Sequence, residues 1–174
     1  MLTFEPGAFI WENGTMTPLG GLPGGAFTFP TGINDFGQVA GVAANEAFEF
    51  RAFAWERGRF YDLGTLPGGF TSSGRIINNE RLIAGWADDE TFTSYAVVWK
   101  NGEPISLGVL PGTSSSQAWA INDFAQVTGR SDQTPFSWER GTMSALPTVQ
   151  GGTGLGVAVN IHGVIAGQSD NGYG

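Results

Sequence analysis

The chain has 174 residues, of which 41% are hydrophobic, 13% aromatic and 14% charged, with no cysteine. That is enough apolar material for one domain with a core, and it excludes a disordered chain, a disulfide framework and thiolate or zinc–thiolate chemistry. The net charge of −8, from 8 basic and 16 acidic residues, repels phosphate backbones and excludes nucleic acid as a partner.

In chain order, the opening "MLTFEPGAF" has neither a basic n-region nor an apolar h-region, so no signal peptide is expected as the chain stands. No apolar run approaches the roughly 18 residues of a membrane span. Residues 8–11 and 15–19 then read as two strands joined by Asn13-Gly14. Asn-Gly suits a two-residue hairpin turn in which both central residues take positive φ. Asn13-Gly14-Thr15 also fits a glycosylation sequon, but its place in a tight turn makes it turn chemistry. A Leu-Pro-Gly-Gly crossover follows at 22–25, then a second hairpin, "TGINDFGQVAGVA" from Thr31, whose turn opens at Asn34.

This unit then returns. "AFIWENGTMTPLGGLPGG" from Ala8 recurs as "AFAWERGRFYDLGTLPGG" from Ala52 and "AVVWKNGEPISLGVLPGT" from Ala96, with a worn copy, "PFSWERGTMSALPTVQGG", from Pro135. Trp11, Trp55, Trp99 and Trp138 mark the copies at intervals of 44, 44 and 39. Four repeats, near 8–51, 52–95, 96–134 and 135–174, make up a single domain over 1–174. No stretch of helical period is longer than a turn, so the chain reads as all-β with sixteen short strands.

Four antiparallel strands per unit of this length fit a β-propeller blade. With the strand before the Asn turn taken as innermost, complete blades fall at 31–66, 75–110 and 118–149, and residues 156–169 combine with 8–22 into a fourth. The expectation is a four-bladed propeller closed by N-terminal strands pairing with C-terminal strands. Closure would remove the exposed sheet edges. The four tryptophans are expected in the core, where large aromatics pack over small residues of the next blade.

The motif "AFxWENGxMxxLGxLPGG" followed by "xAINDxGQVxG" resembles the HAF repeat, over nearly the whole of residues 8–167. The histidine of that motif is replaced by Gly7, Arg51, Tyr95 and Thr134 in the four copies. The resemblance implies an extracellular or cell-surface setting and a surface or binding role, with no catalytic residues to carry over. A cytoplasmic setting is the alternative. The strand order also resembles that of Kelch propellers, as an analogy of fold only.

The loops that vary lie between the second and third strands of each unit: residues 43–51, 87–95 and 131–134. Unequal loops on a rigid scaffold are where binding residues tend to be placed. Trp86, Trp119, Arg130 and Arg75 stand outside the repeat pattern there, and an aromatic beside cations and carboxylates suits a sugar or another polar ligand. Asp88 and Asp132 would be the acceptors. The leading reading is a non-catalytic binding or scaffold module for a glycan or small polar ligand, with no catalytic residue and no cofactor.

Two alternatives stand beside it. Asp88, Asp132 and Asp170 recur three residues after the glycines at 85, 129 and 167 and could serve a carboxylate-dependent hydrolase or lyase at the channel mouth. Asp88, Asp89 and Glu90 are the residues that could hold calcium, which takes six to eight oxygen ligands. The second alternative is a structural repeat protein that self-associates; the sequence leaves monomer and homo-oligomer open. The one histidine, His162, lies in a turn with no nucleophile elbow nearby.

Overall fold

The computed structural model describes residues 7–170 and is all-β. Two strands, β1 (Phe9–Glu12) and β2 (Thr15–Pro18), form a first small sheet. Three four-stranded sheets follow. The first comprises β3 (Thr28–Ile33), β4 (Val39–Ala44), β5 (Phe50–Glu56) and β6 (Arg59–Asp62). The second comprises β7 (Ser72–Ile77), β8 (Ile83–Asp88), β9 (Ser94–Lys100) and β10 (Glu103–Ser106). The third comprises β11 (Ser116–Ile121), β12 (Val127–Ser131), β13 (Thr134–Glu139) and β14 (Thr142–Ala145). A 3₁₀ turn at Val149–Gly151 leads to a last two-stranded sheet, β15 (Gly154–Val159) and β16 (Ile165–Ser169). Among the described residues no helix is long and apolar enough to cross a membrane.

Local chemistry explains each hairpin. Asn13-Gly14, Arg57-Gly58, Asn101-Gly102 and Arg140-Gly141 all hold both residues at positive φ, as a type I′ turn demands. In the other hairpin, Oδ1 of Asn34 accepts the N–H groups of Phe36 and Gln38, and Asn122 and Asn160 repeat the arrangement. Each first strand carries a bulge, at Thr31, Arg75, Trp119 and Val157. Opposite each bulge sits a glycine. A Cβ on Gly41, Gly85 or Gly129 would lie 2.1, 2.0 or 2.0 Å from the first strand's carbonyl oxygen, so no side chain fits there.

The sheets stack in sequence order. Ala40, Leu63 and Leu66 of the first four-stranded unit bury Ile77, Val97 and Trp99 of the next. Val98, Leu107 and Leu110 meet Ile121, Val127 and Phe136 in the same way. The small sheet β1–β2 contributes Ala8, Leu19 and Leu22 against Val39, Phe53 and Trp55. Polar pins reinforce the joints: Ser72 Oγ accepts the Ala52 N–H and donates to the Gly64 carbonyl, and Ser116 does the same with Ala96 and Gly108. A ladder of asparagines also runs through the stack. Nδ2 of Asn34 donates to the Asn78 carbonyl, Asn78 to Asn122, and Asn122 to Asn160.

The closed four-bladed propeller expected from the sequence is not formed. The five sheets, of 2, 4, 4, 4 and 2 strands, remain separate, and β1 does not pair with β16. Among the described residues the asparagine ladder ends at Asn160 and does not return to Asn34. The physical reason lies in the joints. Each is built only from side chains of consecutive units, so the repeat specifies how neighbours pack and places no requirement on the two ends of the array. One core expectation changes with this. Trp55 and Trp99 are buried by the unit before them and Trp138 is half-buried, whereas Trp11 is 63% exposed, because among the described residues no unit packs on its face of β1.

Candidate functional site

The crossovers into β3 and β7 and the turns leaving β4 and β8 share one face: Gly24 lies against Glu46, and Gly68 against Glu90. On this face the three recurrent aspartates have the same task. Asp88, buried at the end of β8, accepts the N–H groups of Phe70 and Thr71 at 2.9 and 2.7 Å and the Thr71 hydroxyl at 2.7 Å. Asp132 accepts the N–H groups of Ser114 and Ser115 and both hydroxyls. Asp170 accepts the Thr153 N–H and hydroxyl. In the first copy the carboxylate and the hydroxyl are missing together: Ala44 faces Phe27 through a backbone bond alone.

These carboxylates therefore tie the start of one strand to the end of the next. Their oxygens are occupied by their own crossovers, which argues against using Asp88 and Asp132 as ligand acceptors or all three as a catalytic set. The Ser114 N–H and the Ser115 hydroxyl, in that order, hold the Asp132 carboxyl below the usual carboxylate range. A carboxyl so held is a poor proton donor near neutral pH. Asp89 organises a turn of its own, taking the Thr91 hydroxyl and the N–H groups of Thr91 and Thr93. Glu90 packs over Gly68. Among the described residues no group of three or more His, Cys, Asp or Glu side chains could hold a metal ion.

The Leu-Pro-Gly crossovers are turns closed on themselves, with Gly25 N–H on the Leu22 carbonyl and Gly69 N–H on that of Leu66. His162 is exposed and only donates its backbone N–H to Asn160.

Three of the four aromatic and cationic candidates do come together. Arg75 and Trp119 are the bulge residues of β7 and β11, and a bulge re-aims the side chain it carries. The Arg75 guanidinium lies over the Trp119 ring, 4.2 Å from its centroid, within cation–π range. Burial first, and then the neighbouring charge of Arg130, lower the Arg75 pKa below its ordinary value. Arg130 reaches the Gln117 side chain at 3.3 Å. Neither arginine forms an ion pair among the described residues; the pairs there involve Arg51, Arg81 and Arg140. Two further donors, Arg75 Nε and Trp119 Nε1, are buried without an acceptor.

Beyond Arg130 a cleft opens between the third sheet and the last small one, lined by Gln133, Gln168, Ser169 and Asp170. The glutamines extend the site and were not legible in the sequence, because they stand at repeat positions of no fixed type. Trp86 takes the register position on β8 that Arg130 takes on β12. No hydrogen bond, ion pair or ring contact joins it to the cluster among the described residues. No family model, curated protein or solved structure matches this chain.

Proposed function

We propose that this chain is a non-catalytic binding module that holds a polar, negatively charged ligand, an acidic glycan being the class that fits best, on Trp119 between Arg75 and Arg130. One observation carries the reading. In a chain with 16 acidic and 8 basic residues, two neighbouring arginines form no ion pair among the described residues, and one of them is stacked on an indole. Such an arrangement is unfavourable in isolation and becomes favourable when an anion joins it. The ring face of Trp119 suits the apolar face of a sugar, and the side-chain amides of Gln117 and Gln133 suit its hydroxyls.

The same reading includes a setting outside the cell and kinship with HAF repeats, both of which rest on the motif of the four copies. Isothermal titration with uronate-containing oligosaccharides and their neutral counterparts tests it. The acidic sugars should bind, the neutral ones at least tenfold more weakly, and Trp119→Ala or Arg75→Gln should abolish the difference while the fold is kept. Equal binding of both sugar classes, or full binding by Trp119→Ala, would overturn it.

A further inference from the structure

The two end sheets are complementary halves of the sheet that the chain builds three times in full. Sheets β3–β6, β7–β10 and β11–β14 each run in the order first, second, third, fourth strand. The sheet β15–β16 has the first two strands of this pattern, and β1–β2 has the last two. In the full sheets the second and third strands pair with Gly41 opposite Phe53, Gly85 opposite Val97 and Gly129 opposite Phe136. The equivalent residues of the halves are Gly167 on β16 and Phe9 on β1.

The side chains buried at the complete joints are bare at the ends. Phe53, Val97 and Phe136 are fully buried, and Phe9 is 51% exposed. Ile77 and Ile121 are buried, and Ile33 is 56% exposed. Ala40 and Ala84 are buried, whereas Ala166 is exposed.

A groove lies ready for the missing strand. It runs beside β16, lined by Pro135, Leu146, Val149, Leu155 and Ile165. By repeat position Pro135, Leu146 and Val149 correspond to Ala52, Leu63 and Leu66, the residues that bury Val97 and Trp99 within the chain. The polar groups are directional as well. Trp99 Nε1 donates to the Leu63 carbonyl, whereas Trp55 Nε1 is buried without an acceptor, so this bond does not mark every joint. The asparagine ladder passes its hydrogen bond from copy to copy and stops at the Asn160 amide. The Asn34 carbonyl, which accepts only its own turn's N–H from Gly37, stands at the other end.

We propose that a second copy of this chain occupies the groove, head to tail: β1 of one copy pairs with β16 of the next, with Phe9 opposite Gly167 and Trp11 opposite Ile165. The joint continues an interface already built between consecutive sheets of the same chain. Trp11 and Phe9 fill the groove, Ile33 covers Ala166, and Asn160 donates to Asn34 of the neighbour. With about 150–250 Å² available per aromatic side chain, covering the exposed fractions of Phe9 and Trp11 alone removes on the order of 200 Å² from water. A contact of this kind is heterologous, so it closes into a ring when the rotation allows and grows otherwise. Each copy carries a charge of −8, so added salt should strengthen the association by screening.

Two edge variants test it. Trp11→Lys disables β1, and Ala166→Arg disables β16; both positions are exposed in the single chain, so each variant should fold. By sedimentation velocity the unmodified chain should be larger than 18.3 kDa, increasingly so with concentration and salt. Each variant alone should sediment as a monomer. An equimolar mixture, which restores one joint, should yield a species of twice that mass. A monomeric unmodified chain at every concentration, or a mixture that stays monomeric while both variants melt cooperatively, overturns the proposal.

Discussion

Asp88 separates a structural carboxylate from a chemical one, and Asp88→Ala is the decisive change. The side chain is 4% exposed and accepts three hydrogen bonds, from the Phe70 and Thr71 N–H groups and the Thr71 hydroxyl. Bonds to a charged acceptor are worth about 1.5–3 kcal/mol each. Three on one carboxylate act as a unit and do not add. Alanine should therefore cost about 3 kcal/mol, with part of the loss recovered by water at the half-buried Thr71. For a chain of this size about 1 kcal/mol moves Tm by roughly 2–4 °C, so a drop of about 6–12 °C is expected. Asp88→Asn keeps an acceptor for both N–H groups, and the Thr71 hydroxyl can turn to accept from the amide, so its cost should be about 1 kcal/mol. Calorimetry on both variants, with Thr71→Val closing a double-mutant cycle, measures the coupling. A Tm unchanged in Asp88→Ala, or ligand binding lost with the Tm intact, would refute the structural assignment and return Asp88 to a site.

Two further outcomes follow from the same geometry. Asn78→Ala should cost about 2–3 kcal/mol, since a buried amide there serves its own turn and the next copy; Asn160→Ala, at the exposed end of the ladder, should cost under about 1 kcal/mol at concentrations where the chain is a monomer, and equal costs in urea titrations would dissolve the ladder as a stabilising device. Asp132, Asp89 and Glu49 are all held below their ordinary pKa values, respectively by Ser114, Thr91 and Arg51 as leading partners. A lowered folded-state pKa contributes stability that is present above the unfolded value near pH 4 and lost as pH falls through the folded one. Thermal melts should thus be flat between about pH 7 and pH 5 and decline below about pH 4, the decline becoming shallower in Asp132→Asn.

Much of the local structure could be read from residue types. Asn13-Gly14 and Asn101-Gly102 are hairpin turns because positive φ at both positions suits few other pairs. The glycines at 41, 85 and 129 are required by the carbonyl that the bulge brings toward them, and they recur for that reason. The candidate site was legible in part. Arg75, Trp119 and Arg130 drew attention as departures from the repeat, and the first two share the bulge position on the first strands of consecutive sheets. Asp88 and Asp132 drew attention for the opposite reason, because they recur. Recurrence in a repeat array marks what every joint needs. The threonine or serine 17 residues upstream of each aspartate, at Thr71, Ser115 and Thr153, was the available signal that the need is structural, and its loss at Phe27 coincides with the loss of the carboxylate at Ala44.

Closure could not be read from residue types alone. The joints pack each unit against its sequence neighbour, and the five sheets make four of them: three are buried apolar clusters, and at the fourth Gly156 lies against Thr128 and Asn122 donates to the Asn160 carbonyl. The two-stranded sheets β1–β2 and β15–β16 are each half of the repeated unit, a pattern that suits a ring of one chain and a joint between chains equally. The choice depends on the angle summed over all the joints, which is a property of the packed sheets. The same reasoning explains why Phe9, Trp11 and Ile33 carry core-type residues on a bare surface. Their types are set by the repeat, and they are exposed because among the described residues no further unit packs on them. A surface that keeps core residues, a directional hydrogen-bond ladder and a groove lined by the counterparts of an existing interface is best accounted for by a partner strand from another copy.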